Sequence, residues 1–179
     1  VGDPKDPTTE MGPLTSALHR DRVLSYTQKA IDEGGEVLLG GSSPTNQETS
    51  NGYYVNPTVI RIDASSQAAC EEVFGPFMTV HTFSTDEEAL AIANSVDYGL
   101  GGGLWTTNLS RAHKMARELR AGMVWINSYK RVNPGSPFGG VGSSGYGREM
   151  GFEAMREYTE PKAVWVNIDA QLPPFYPRG

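Results

Sequence analysis

The sequence is poor in cysteine and histidine, with only Cys70, His19, His81 and His113. A single cysteine rules out an internal disulfide and fits a reducing compartment, so a cytoplasmic location is expected. These four residues are scattered without metal-ligand spacing, and no metal site is expected. No apolar run reaches the 18 or more residues needed to cross a membrane. Basic residues are also in deficit: 15 Lys and Arg stand against 21 Asp and Glu, for a formal charge of −6. They form no stripe, which speaks against a nucleic-acid partner. The opening Val-Gly-Asp-Pro-Lys-Asp-Pro has the character of neither a signal nor a transit peptide. Internal repeats are absent as well.

What the chain has in excess is glycine, and it is concentrated. Seven of the eighteen residues 134–151 are Gly. That density defeats a helix or strand interior, where each Gly costs roughly 0.5–1 kcal/mol against Ala. It suits a long loop lying close to something else, and such loops in compact domains are commonly functional. Phe138 sits in its middle, and Arg148 and Glu149 close it where a helical pattern is expected to begin. Residues 140–145 match G-x-G-x-x-G. The match is rejected as a dinucleotide fingerprint, because a Pro-Phe-Gly-Gly turn precedes it where a strand is required.

Around this loop the patterning alternates. A helix is expected over residues 15–32, with Leu18, Val23, Leu24, Thr27, Ala30 and Ile31 on one face. Short strands follow at 36–40 and 53–62, the latter broken or at an edge because of Pro57. A strand at 77–83 leads to a helix opened by a Thr85/Glu88 capping box. Residues 98–103 read as a glycine turn before a strand at 104–106. Asn108 caps a helix running to about residue 120. Residues 124–127, apolar without alternation, read as a strand buried on both faces. A short helix at 152–158, a last strand at 162–168 and an extended tail at 169–179 complete the order. The fold class is α/β, a mostly parallel sheet flanked by helices.

Five motifs in order now carry a resemblance: Glu-Glu-Val-Phe-Gly-Pro at 71–76, Tyr-Gly-Leu at 98–100, Gly-Met-Val-Trp-Ile-Asn at 122–127, Ser-Pro-Phe-Gly-Gly at 136–140 and Ser-Gly-Tyr-Gly-Arg-Glu at 144–149. Together they resemble the aldehyde dehydrogenase superfamily over nearly the whole chain. The resemblance implies a partial catalytic domain over residues 1–168, with 163–168 as an assembly strand that joins copies into a homo-oligomer. It implies that the Rossmann-like cofactor domain, the general-base glutamate and the nucleophilic cysteine lie upstream of the first residue. In that chemistry a thiolate attacks a small-molecule aldehyde, a hydride passes to NAD or NADP, and a glutamate-activated water hydrolyses the thioester. The isolated chain is therefore expected to be inactive and to bind no cofactor tightly. A stand-alone binding or assembly module derived from the same fold is the alternative.

The resemblance also assigns residues. Glu72 corresponds to the carboxylate that accepts the nicotinamide ribose hydroxyls, a task for a group able to take two donors. By residue type alone it is equally a solvated surface acid. Phe74 is implied to flank the nicotinamide and Phe138 to line the aldehyde pocket; either could instead be a core aromatic. Glu149 resembles a proton-relay glutamate, or an acid favourably placed in a helix's first turn. Lys130 and Arg131 fall in the substrate-selecting loop and suggest an acidic semialdehyde, although exposed cations are often merely solvated. Asn127 is expected to hold loop backbone, and Cys70 to be an inert thiol. Glu71 receives no role.

Overall fold

A computed structural model describes residues 1–46 and 49–168 of the chain. Ser16 opens α1 (Ala17–Asp32), its hydroxyl accepting the His19 backbone N–H as an N-cap should. Val23, Tyr26, Thr27 and Ala30 form its buried face. Leu18 and Ile31, expected on that face, are exposed. Leu18 lies about 140° around the helix from Val23 at 100° per residue, so the two cannot share one contact. Tyr26 takes the inward place instead.

β1 (Glu36–Leu39) pairs antiparallel with β2 (Thr58–Arg61), which pairs parallel with β3 (Phe77–Val80). Between β2 and β3 lies α2 (Gln67–Cys70), a single turn that the small, polar run 63–70 does not announce. α1 and α2 pack here, enclosing Val23, Tyr26, Ala30, Val55, Ile60, Ile62, Ala68 and Val73 in one apolar cluster. Thr85 then caps α3 (Asp86–Ala93) by accepting the Glu88 N–H. The Glu88 carboxylate reaches back to the Ser84 N–H. The capping box is thus present, with its return bond one residue further out.

Beyond α3 the backbone does more of the packing. The expected glycine turn at 98–103 is in fact two strands, β4 (Tyr98–Gly99) and β5 (Gly101–Leu104). α4 (Leu109–Glu118) follows, capped by Asn108. β6 (Met123–Ile126) runs parallel to β5, and β7 (Val141–Gly142) pairs antiparallel with β4 from within the central loop. Glycine is tolerated in β5 because aromatic rings cover it. A Cβ on Gly101 would lie 2.8 Å from the Trp125 ring, and one on Gly103 2.8 Å from Tyr129. Those two rings meet edge to face at 5.1 Å between centroids. α5 (Ala154–Glu157) is shorter than the sequence suggested.

The architecture is α/β, but the described strands fall into three small sheets, with two parallel and two antiparallel pairings. β6 is half-buried rather than buried on both faces, having among the described strands only β5 beside it. Residues 162–168 carry no regular secondary structure, and Trp165 is 94% exposed. Alternating side chains make a strand only when a neighbour completes the ladder, and no described strand lies alongside. The expected tail at 169–179 falls outside the described residues.

Candidate functional site

The segment after α2 separates two adjacent acids. Glu71 is engaged: the Tyr26 hydroxyl donates to its Oε2 at 2.5 Å and the Gln67 amide to its Oε1 at 2.8 Å. The Tyr26 bond first, and then the Gln67 bond, hold its carboxyl below the ordinary 4.5. The same bond raises the Tyr26 hydroxyl above its ordinary 10.0. Glu72 differs. It is exposed, and among the described residues its carboxylate has no hydrogen-bond or ion-pair partner. Like Glu71, it lines a cleft of about 610 Å³ together with Cys70, Asn94, residues 98–103, Arg120 and Ser144.

Phe74 follows with φ at 58° and is 67% exposed. A non-glycine residue in that region costs of order 1–3 kcal/mol and persists only where its surroundings impose it. Its carbonyl accepts a hydrogen bond from His19 Nε2 at 2.5 Å. Phe74 is therefore no core aromatic; its ring is available on the surface. It lines neither the Glu72 cleft nor those described below.

In the central loop, Phe138 and Glu149 face each other across an antiparallel bridge. The Phe138 N–H donates to the Glu149 carbonyl at 2.6 Å, and the Glu149 N–H to the Phe138 carbonyl at 2.7 Å. Glu149 thus stands in a bridge, with α5 beginning only at Ala154, so the helix-first-turn alternative is excluded. Both residues line a cleft of about 360 Å³ that shares Leu100 and Ser144 with the Glu72 cleft. The loop is seated by Ser144, whose hydroxyl accepts the Gly99 N–H at 3.0 Å, and by Arg148, whose Nη1 donates to the carbonyls of Gly140 and Gly147. A Cβ on Gly122 would overlap the Gly139 carbonyl oxygen, so the loop lies directly on the start of β6. Residues 140–145 enter β7 and a turn, with no helix opening from them.

Phe138 also borders a third cleft, of about 440 Å³, with residues 122–125, Arg131, Val132, Asn133, Ser136 and Pro137. Arg131 lines this cleft and Lys130 does not. Lys130 has φ at 54°, and neither cation forms an ion pair among the described residues. The Trp125 indole N–H donates to the Arg131 carbonyl at 2.7 Å, fixing that turn. Asn127 clamps Thr106 from both sides, its Oδ1 accepting the N–H at 2.8 Å and its Nδ2 donating to the carbonyl at 3.0 Å. Its role is structural, and its side chain holds the segment after β5, not the central loop. Cys70 Sγ lies 3.4 Å from the Ala64 carbonyl. Among the described residues no cluster of three or more His, Cys, Asp or Glu could hold a metal.

The structure therefore gathers Phe138 and Glu149 on one rung, puts Glu72 in the adjoining cleft and leaves Phe74 and Lys130 outside these cavities. Sequence reasoning missed Tyr26, His19 and Arg148. Tyr26 and His19 lie some fifty residues from the groups they hold, and no local pattern marks that pairing. Arg148 adjoined a residue already under discussion, and only its long side chain at the edge of a glycine run hinted at a backbone clamp.

Comparison with known proteins supplies relatives for this arrangement. The model of the Aldehyde dehydrogenase family matches residues 1–164. The chain is 46% identical over 169 residues to betaine aldehyde dehydrogenase of Cereibacter sphaeroides, covering 94% of this chain and 34% of that protein. It is 42% identical over 173 residues to (Z)-2-((N-methylformamido)methylene)-5-hydroxybutyrolactone dehydrogenase of Acinetobacter baylyi, covering 96% and 35%. Among solved structures, PnpE from Pseudomonas sp. WBC-3 superposes with a TM-score of 0.93 at 65% identity, over 98% of this chain and 36% of that one. PnpE has also been solved in complex with nicotinamide adenine dinucleotide. The chain spans about a third of the length of the curated relatives it matches.

Proposed function

Because the chain belongs to the aldehyde dehydrogenase family, we propose that it is the part of an NAD(P)-dependent aldehyde dehydrogenase that holds the nicotinamide ribose and walls the aldehyde pocket. The observation that carries this is the difference between neighbouring acids. Glu71 has both oxygens engaged, whereas Glu72 has both free in a cleft. An ionised carboxylate with two open oxygens can accept two hydroxyls at once, which fits a vicinal diol such as a ribose. Phe74 offers an uncovered aromatic face for a flat ring.

Bound NAD(P)+ supplies the hydride acceptor. This chain's residues do the rest of the work assigned to it. Glu72 accepts the ribose hydroxyls and fixes the cofactor's register, which matters because hydride transfer needs close, oriented approach. Phe138 keeps water from the aldehyde carbon and shapes the pocket. Glu149 takes and passes protons beside it. Arg131, lining the cleft that Phe138 borders, and Lys130 beside it attract a substrate carboxylate, so the substrate is an acidic semialdehyde. We take the protein to be a cytoplasmic homo-oligomer assembled through residues 163–168. The exposed Val164, Trp165, Val166 and Ile168 support that assembly. Among the described residues no helix is long and apolar enough to cross a membrane.

The test is steady-state turnover of the full-length protein with NAD and paired aldehydes, one acidic and one neutral. Lys130→Ala with Arg131→Ala should lower kcat/KM for the acidic substrate by about tenfold, a loss of roughly 1.4 kcal/mol, and leave the neutral one unchanged. Equal kcat/KM for both aldehydes in the wild type would sink the acidic-substrate reading. Light scattering of the same preparation checks the oligomer, and a monomer would remove that part.

A further inference from the structure

One row of α1 grips the segment that carries Glu72 and Phe74. His19, Val23 and Tyr26 stand at i, i+4 and i+7, so their side chains follow one another along the same face. His19 Nε2 donates to the Phe74 carbonyl at 2.5 Å, and its Nδ1 lies 3.2 Å from the Thr15 hydroxyl. A ring with its proton on Nε2 donates to the carbonyl and leaves Nδ1 to accept from the hydroxyl. Val23 fills the space that a Cβ at Gly75 would need, at 2.5 Å. Tyr26 holds Glu71. The helix thus fastens residues 71, 74 and 75 and leaves Glu72 alone unfastened at the cleft.

We propose that His19 and Tyr26 are positioning residues for the cofactor. They hold residues 71–75 in the shape that leaves the Glu72 carboxylate free at its cleft and the Phe74 ring exposed outside it. The proposal rests on the reading of Glu72 and Phe74 given above. Neither residue touches cofactor or substrate; each acts through the backbone or through Glu71. Two features make the role more than packing. The left-handed Phe74 is the conformation that the His19 bond braces. The Tyr26 hydroxyl engages an acid outside the apolar cluster, so the bond can be removed while the ring stays in place.

The experiment uses the full-length protein with His19→Leu, His19→Gln, Tyr26→Phe and Glu72→Gln. NADH affinity is read by fluorescence titration, KM for NAD and for the aldehyde by turnover, and folding by thermal melting. His19→Leu and Tyr26→Phe should each weaken NADH binding and raise KM for NAD about five- to tenfold, with KM for the aldehyde unchanged. His19→Gln, whose amide N–H can reach the same carbonyl, should recover to within about twofold. If Glu72→Gln weakens binding while His19→Leu and Tyr26→Phe do not, the grip is overturned and the Glu72 reading stands. If Glu72→Gln has no effect, both fall. A parallel rise in both KM values without rescue by His19→Gln marks a merely structural role and overturns the proposal. Nitrogen NMR of the wild-type imidazole tests the geometry without any substitution. A ring protonated at Nε2 supports the proposal, and one protonated only at Nδ1 overturns it.

Discussion

The two ends of the described chain hold together by different means. From α1 to β3, large side chains meet in an apolar cluster, with Ile60 fully buried. From β4 to the central loop, buried large side chains are scarce and backbone lies on backbone. Gly122 touches the Gly139 carbonyl, and Gly99 approaches the Arg120 carbonyl so closely that a Cβ would sit 2.5 Å from it. The first region gains its stability from apolar area, the second from hydrogen bonds and close glycine contacts. The candidate site draws on both: Glu72 and Phe74 from the packed region, Phe138 and Glu149 from the bonded one. Cavities should therefore damage the first region, and added atoms the second.

The largest break in that contrast should come from Ile60→Ala, which should lose about 2–5 kcal/mol in urea unfolding. Leu18→Ala, at a residue of α1 that is 82% exposed, should stay within about 0.5 kcal/mol. Next, Gly122→Ala adds one methyl to the backbone-packed region and should cost about 1–3 kcal/mol. Hydrogen exchange should then speed up first at the Phe138 and Glu149 amides while the α1 amides stay protected. A uniform rise would show that the two regions unfold as one. Arg148→Met removes the donor to the Gly140 and Gly147 carbonyls and should cost about 1 kcal/mol, again localised to the loop.

The smallest effect sharpens the comparison through pH. Glu71 is held below its ordinary 4.5, so its bond to Tyr26 stabilises fully above that pH and is lost as pH falls through the lowered value. Tyr26 is raised above its ordinary 10.0, so the same bond is present below that pH and lost as pH rises through the raised value. The stability difference between wild type and Tyr26→Phe should be greatest between about pH 4.5 and 10 and shrink at both extremes. A difference flat across pH would show that the hydroxyl's bond to the ionised carboxylate contributes nothing.

The same division explains what could be read beforehand. Helices announced themselves through Thr85, Asn108 and the periodicity of α1, because caps and faces are local. β5 was hidden because its glycines signal a turn, while the rings that make it a strand, Trp125 and Tyr129, come twenty or more residues later. Residues 162–168 carry a strand's alternation without forming one in the single chain, since alternation describes a strand's faces and says nothing of its neighbour. At the candidate site, Glu72, Phe74, Phe138 and Glu149 were singled out by the resemblance that the motif order carries. The bonds from His19 to Phe74 and from Tyr26 to Glu71 are long-range pairings that no window along the chain contains, and the rung between Phe138 and Glu149 joins main-chain groups that no side-chain pattern marks.

That rung has a consequence for how such a pocket can change over generations. Its two bonds join main-chain groups only, so they do not read the side chain at either position. Residue 138 can be exchanged for a smaller or more polar neighbour of a new substrate while the carbonyl and amide of Glu149 stay where they are. Under the roles proposed above, selectivity can drift there without the proton path having to be rebuilt. The reverse holds at Gly122, where the first atom added displaces both.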